Sequence, residues 1–308
     1  LSSRDEALNG KPFLVTVNPG TPTWKTLDSN LKQLGVSAPD PDLPNELIYK
    51  PIDTDSRNDD DDPRSTVRIG AGEGGKDVIL DLNKNPSVIV SGGTGSGKTV
   101  LMRTIIEHGL RHDGIRLNVI DLNGVQKNLR QGDRVARSID EAYDLITRLR
   151  VEMNDTYKQL ANTVGDAEGE EKILSSRKTE WIIIDPADWL LGGVSTLSPS
   201  RMGTVHAAEK ISLMTDTINY LVRLCRSAGI YVFMITGYLD TISTSGREIV
   251  SNSMTKIYCG HQNWKAFRDL FSENPRYDLP ARPRGRAVIL NMGGRQQIFQ
   301  IGFIPTMV

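Results

Sequence analysis

A glycine-rich turn sits between two apolar segments near the first third of the chain. Ser91-Gly92-Gly93-Thr94-Gly95-Ser96-Gly97-Lys98-Thr99 follows Val88–Ser91, which is short, apolar and β-branched. Val100, Leu101, Ile105 and Ile106 follow it at helical spacing. A buried strand that passes through glycines straight into a helix fixes the local topology and restricts the folds that can contain it.

The residue types at those positions point to one kind of chemistry. Glycines let successive backbone N–H groups turn inward without obstruction from β-carbons, which makes a concave anion site. Lys98 adds a positive charge at that site, and the Thr99 hydroxyl is a hard oxygen suited to Mg²⁺. The helix from Thr99 to about His108 would place its positive dipole end on the same anion. The pattern Gly, four residues, Gly-Lys-Thr is the P-loop, so a nucleoside triphosphate, taken as ATP, and Mg²⁺ are the expected cofactors. The expected contacts are Gly92, Gly93, Thr94, Gly95, Ser96, Gly97, Lys98, Thr99 and Val100.

Such a loop needs a carboxylate from a nearby strand. Trp181-Ile182-Ile183-Ile184-Asp185 is an apolar run ending in Asp, and Asp185 is expected to share Mg²⁺ with Thr99 from a neighbouring strand. Leu117–Asp121 also ends in Asp and ranks second, because Asn123 and Gly124 read as turn chemistry.

Val78–Leu80 and Ile230–Thr236 are further continuous apolar runs of the type buried on both faces of a parallel sheet. Between the runs lie helical periodicities. One carries Ile139, Ala142, Tyr143, Ile146, Leu149, Met153, Tyr157 and Leu160, opened by a Ser138/Glu141 capping box. Another carries Ile211, Met214, Ile218, Leu221, Cys225 and Ala228, with Gly229 at its end. Arg286–Asn291 and Gln297–Ile304 around Gly293-Gly294 predict a C-terminal β-hairpin. The alternation predicts an α/β fold with a mainly parallel sheet flanked by helices. Gly70–Gly75 precedes a strand rather than joining a strand to a helix, so it is expected to be a turn and not a dinucleotide site. Thr163–Ser176 is acidic and glycine-containing and is expected to be an exposed loop.

Residues 1–63 read as an N-terminal extension with a short strand at Phe13–Val17 and a proline-rich stretch ending in Asp59–Asp62. That acidic run predicts a solvated connection rather than a metal site, because consecutive side chains splay. The expected motor domain is 64–308. Net charge is −1, so no overall basic excess advertises nucleic acid, although a local basic strip is compatible with that value. Cys225 and Cys259 lie in apolar surroundings and are expected to be reduced core thiols of a cytoplasmic protein. No apolar run is long enough to cross a bilayer and no signal peptide is visible. The chain begins at Leu1, which leaves room for an upstream anchor or domain and for a membrane or secretion-system partner.

From Val67 to Ile304 the order of these segments resembles the FtsK/SpoIIIE DNA translocases and their relatives, the EccC/EssC ATPases of type VII secretion. The resemblance is carried by Val88–Ile106, Leu117–Asp121, the Glu152-Met153 helix, Ile184-Asp185-Pro186-Ala187-Asp188 and the junction Leu224-Cys225-Arg226-Ser227-Ala228-Gly229-Ile230. It implies a RecA-like P-loop NTPase working as a ring, expected to be a hexamer, with ATP between subunits. An arginine or lysine of one subunit would reach the next subunit's γ-phosphate, with Arg226, Arg247 and Lys256 as candidates.

The family pattern places a glutamate base after the Walker B aspartate; here Pro186 stands there, so Asp188 or another carboxylate has to substitute or turnover is weak. The family's glutamine sensor is likewise absent, with Ile235-Thr236 followed by Gly237-Tyr238-Leu239, and Thr236 is its poor stand-in. No winged-helix module follows within the sequence. The leading expectation is a double-stranded DNA translocase for segregation, conjugation or virus genome packaging. A secretion ATPase handling protein, and a nucleotide-binding ring subunit with little turnover, stand as alternatives.

Overall fold

The computed structural model describes residues 62–302, except 73–74, 125, 127–128, 193–205, 238, 240–241, 262, 275, 277–278, 280–284 and 292. The expected strand at Phe13–Val17 and most of the acidic run lie outside the described residues. Asp62, its last member, is described, and its carboxylate accepts from the Arg64 backbone and guanidinium.

The strands are β1 (Thr66–Gly72), β2 (Asp77–Asp81), β3 (Ser87–Gly92), β4 (Ile115–Ile120), β5 (Arg134–Ala136), β6 (Thr179–Ile184), β7 (Ile230–Ile235), β8 (Thr255–Cys259), β9 (Arg286–Asn291) and β10 (Gln297–Ile301). The helices are α1 (Lys98–Arg111), α2 (Ile139–Ala161), α3 (Ala167–Ser175), α4 (Asp188–Gly192), α5 (Ala207–Leu224), α6 (Thr244–Asn252) and α7 (Trp264–Phe271). They build one 10-stranded sheet in the order β2-β1-β10-β9-β8-β3-β7-β6-β4-β5. From β8 to β5 every pairing is parallel, and the hairpin β9–β10 with β1 and β2 continues the sheet antiparallel.

The apolar run of β6 shows why the strands read as they do. Trp181 and Ile183 face the layer that holds Leu101 and Ile105 of α1. Ile182 and Ile184 face the other layer, with Leu149 and Met153 of α2, Ile218 and Leu221 of α5, and Phe267 and Leu270 of α7. Side chains alternate between faces along a strand, so a strand covered on both faces is apolar except where a polar group is paired, as buried Glu180 is by Arg116 and Asn118. Each such side chain contributes about 1.5–3 kcal/mol by leaving water. The helix starts also follow their sequence signals: Ser138 Oγ accepts from Glu141 N at 3.2 Å to open α2.

Val78–Leu80, expected in a strand buried on both faces of the parallel sheet, lies in β2, an antiparallel edge strand on which Ile79 is exposed. Three further expectations change. Gly70–Gly72 is not a turn but the end of β1, where Gly70 packs so closely on the Gln300 backbone of β10 that a β-carbon would collide with it. The acidic segment Thr163–Ser176 is exposed but contains helix α3, opened by Asp166 accepting from Gly169 N at 3.0 Å. The third correction concerns the neighbour of the P-loop strand: β6, which leads to Asp185, is not adjacent to β3, because β7 lies between them. Ile230–Ile235 carries an apolar run just as strong as that of β6, and composition alone does not order the two.

Candidate nucleotide site

The parallel strands β8, β3, β7, β6 and β4 all end at one edge of the sheet, and the candidate site is built there. The loop after β3 is held from the β8 side. A β-carbon on Gly92 would collide with the carbonyl of Cys259, and Gly97 faces Gly285, whose Cα would lie 3.0 Å from an added β-carbon. Gly260 lies against Ser96 in the same way. The outer side is open: Thr94, Gly95, Thr99 and Val100 are exposed, and nothing lies within 4 Å of a β-carbon built on Gly95.

The polar groups of the loop fit an anion. Among the described residues the N–H groups of Thr94, Gly95 and Gly97 have no protein acceptor, while Ser96 N reaches Gly93 O at 3.3 Å. Ser96 Oγ is buried and has no hydrogen-bond partner among the described residues. The first N–H groups of α1 lack intrahelical acceptors by construction, and no side chain caps them. Lys98 folds back over the loop, with Nζ donating to Gly92 O at 2.6 Å and Gly93 O at 2.8 Å. Burial pulls its ammonium below the ordinary lysine range, with Cys259, Asp188 and Asp185 pulling the other way. Unspent donors around a desolvated cation are what a polyphosphate would satisfy.

The acidic groups gather on the other side, at the ends of β4 and β6. Asp185 is half-buried, and burial followed by the charge of Asp121 pushes its carboxyl up to about 6. Lys98 opposes that shift, which places Lys98 and Asp185 in one electrostatic environment. Asp121, the second-ranked aspartate, is buried and also accepts from Gln126 N at 2.7 Å. Thr99 and Asp185 supply only two hard oxygens. Mg²⁺ commonly keeps several waters and substrate oxygens, so such a sparse donor set suits it. Among the described residues no cluster of three His, Cys, Asp or Glu could hold a metal alone.

Asp188, at the start of α4, accepts through Oδ1 from Thr236 Oγ1 at 2.9 Å and from Gly237 N at 3.0 Å. The Gly237 carbonyl in turn accepts from Ser91 Oγ at 2.6 Å and Gly92 N at 3.4 Å. This link through Ser91 and Gly237, like the packing of Cys259 and Gly260 on the loop, carries no sequence signal. It depends on which strands lie side by side.

The three candidate cations are not brought together. Arg226 is exposed in the 3-10 turn Cys225–Ala228 that precedes β7, and Lys256 is half-buried near the start of β8. Arg226 therefore sits toward the opposite edge of the sheet from this chain's own P-loop, whereas Lys256 pairs with Ile89, midway along β3. Val232 pairs with Ser87, so Arg226 lies more than a strand's length from Gly92, roughly 20 Å at the usual rise per residue. Lys256 lines a cleft of about 320 Å³ with Ser251, Ser253, Asn291 and Glu273, and burial lowers its pKa. Arg247, in the first turns of α6, is exposed, and the start of that helix is tied to α4 by Ser243 Oγ donating to Leu191 O at 2.8 Å.

Cys225 and Cys259 are free and buried, and burial pushes each thiol up to about 12. No helix among the described residues is long and apolar enough to cross a membrane.

A parallel sheet, a glycine loop feeding α1, and an aspartate two strands away at the same edge define a P-loop NTPase fold. A family model described as FtsK/SpoIIIE family matches residues 50–243, more than half of the chain. The chain belongs to the FtsK/SpoIIIE family. It is 25% identical over 214 residues to the DNA translocase FtsK of Clostridium acetobutylicum, covering 66% of this chain and 26% of that protein. It is 24% identical over 213 residues to the DNA translocase SpoIIIE of Bacillus subtilis, with the same coverage. The chain thus spans about a quarter of the curated relatives it matches.

Among solved structures it is similar to the pCW3 conjugation coupling protein TcpA in a monomer form with ATPγS. The TM-score is 0.67 at 23% identity, covering 91% of this chain and 81% of that one. It is also similar to the cytoplasmic domain of the type VII secretion ATPase EccC of Thermomonospora curvata. There the TM-score is 0.60 at 18% identity, covering 80% and 29%. These likenesses concern the fold.

Proposed function

We propose that this chain is the motor domain of an ATP-dependent double-stranded DNA translocase that works in the cytoplasm as a ring, with a hexamer as the expected assembly. Gly92–Thr99 and Val100 would hold the triphosphate, with loop amides and the charge of Lys98 directed at it. Thr99 and Asp185 would hold Mg²⁺, which when bound neutralises charge on the phosphate oxygens.

One observation carries the ring reading. Arg226 lies toward the sheet edge away from its own P-loop, too far to serve the nucleotide of the same chain. A head-to-tail interface joins unlike edges of successive copies, and such an interface closes into a ring when its rotation allows. In that arrangement a cation on the far edge meets a neighbour's phosphates. Lys256, half-buried in β8, and Arg247, exposed on α6, are the other candidates. The DNA substrate is supported by the family and by the named translocases among its relatives.

The test is steady-state ATP hydrolysis over a range of protein concentrations, with and without duplex DNA. We expect specific activity to rise with concentration and with DNA, and the DNA effect to fall steeply with salt. Turnover indifferent to DNA but stimulated by a protein substrate would favour a secretion ATPase. Binding of ATP without turnover in assembled rings would favour a structural subunit, in keeping with Pro186 in the usual glutamate position.

A further inference from the structure

We propose that Asp188 is a positioning residue that ties the end of β6 to the P-loop through Thr236 and Gly237, and is not the base that activates water. This rests on the ATP-hydrolysing reading above.

The geometry is a short relay across three strand ends. Oδ1 of Asp188 takes the Thr236 hydroxyl and the Gly237 N–H, at 2.9 and 3.0 Å. The carbonyl of the same Gly237 takes the Ser91 hydroxyl and the Gly92 N–H. Gly237 is therefore held at both of its backbone polar groups, by Asp188 on one side and by the root of the P-loop on the other. Parallel backbone contacts tighten the same place: Ala187 N donates to Ile235 O at 2.7 Å, and Thr236 N to Val90 O at 2.8 Å. Thr236 is 1% exposed, so its hydroxyl would be costly to leave unpaired. A β-carbon on Gly237 would lie 3.3 Å from Asp188 Oδ1, a tight fit that a glycine avoids.

What this relay requires of residue 188 is a lone-pair acceptor at one oxygen. A carboxamide provides that acceptor and cannot act as a base. A displacement of Asp188 would shift Gly237, and with it the Ser91–Gly92 root from which the phosphate-binding amides are aimed. Its effect on turnover is thus exerted through the shape of the loop.

Asp188→Asn and Asp188→Ala separate the two roles by steady-state ATPase together with ATP affinity, measured on the full chain. Positioning predicts that Asp188→Asn keeps kcat within about three-fold of wild type, with unchanged ATP affinity. It predicts that Asp188→Ala loses about ten-fold or more in kcat/KM, on the scale of two hydrogen bonds. Thr236→Val should cost less than Asp188→Ala and add little to it, since it removes only the Thr236–Asp188 bond, which Asp188→Ala already removes along with the bond to Gly237 N. A fall of about 100-fold or more in Asp188→Asn at unchanged ATP affinity is the signature of a lost base and overturns the proposal. Wild-type activity in Asp188→Ala overturns it as well. A wild-type chain that binds ATP but never hydrolyses it defeats the hydrolytic reading, and the positioning role with it.

Discussion

The carbonyl oxygen of Cys259 occupies the space that a β-carbon on Gly92 would need. The glycine that opens the P-loop is thus required by β8 beside it before any phosphate is considered. Gly95, by contrast, has a φ of 74° and open space around it, so its cost on substitution is conformational only. Gly92→Ala should lose about 1–3 kcal/mol to overpacking in addition to its backbone strain, whereas Gly95→Ala should lose only the left-handed cost of about 1–2 kcal/mol. Denaturant unfolding of both variants measures the difference, and equal losses would mean that β8 does not press on the loop.

Among the described residues Lys98 donates only to carbonyls of its own loop, Gly92 O and Gly93 O. Lys98→Ala should therefore leave the fold intact while removing the charge that faces the polyphosphate. Calorimetric titration with Mg·ATP should show binding in the wild type and none, or at least a 100-fold weaker affinity, in Lys98→Ala at unchanged thermal stability. Equal affinity in the two would refute the assignment of the phosphate site.

The P-loop and its flanking elements were legible because their chemistry is local. Glycines, Lys98 and Thr99 are contiguous, and Val88–Val90 and Leu101–Ile106 give clear strand and helix periods. The parallel sheet and the terminal hairpin were legible for the same reason. The order of the strands was not. Trp181–Ile184 of β6 and Ile230–Ile235 of β7 are both continuous apolar runs, and the position of β7 between β3 and β6 follows from packing across the whole sheet. The roles of Ser91, Cys259 and Gly260 depend on that order and so escaped local reading. Strand β8 was missed because Lys256 interrupts its short apolar run, and helix α3 because an exposed helix carries no apolar stripe: none of its residues is buried.

Asp185 and Thr99 are the residues proposed to hold Mg²⁺, and the charge of Asp121, at the end of β4, acts on Asp185. Asp185→Ala should lower Mg²⁺-dependent turnover by at least ten-fold and raise the Mg²⁺ concentration needed for half-maximal rate. Nucleotide affinity should fall less, because the loop amides and Lys98 remain. A Mg²⁺ titration at saturating ATP distinguishes this from Asp121→Ala, which should change stability through its bond to Gln126 more than it changes the Mg²⁺ requirement. The reverse pattern would move the metal to Asp121.

The decisive measurement is ATP hydrolysis by mixed assemblies of Lys98→Ala and Arg226→Ala chains, repeated with Lys256→Ala and Arg247→Ala. Each variant alone should be nearly inactive if its cation completes a neighbour's site. In a mixture with Arg226→Ala, a subunit with an intact P-loop can then face a Lys98→Ala neighbour that still presents Arg226, and activity should recover at that interface. Mixtures as inactive as their parents for all three cations, or full activity in every single-cation variant, would contradict a nucleotide site completed by the neighbouring copy.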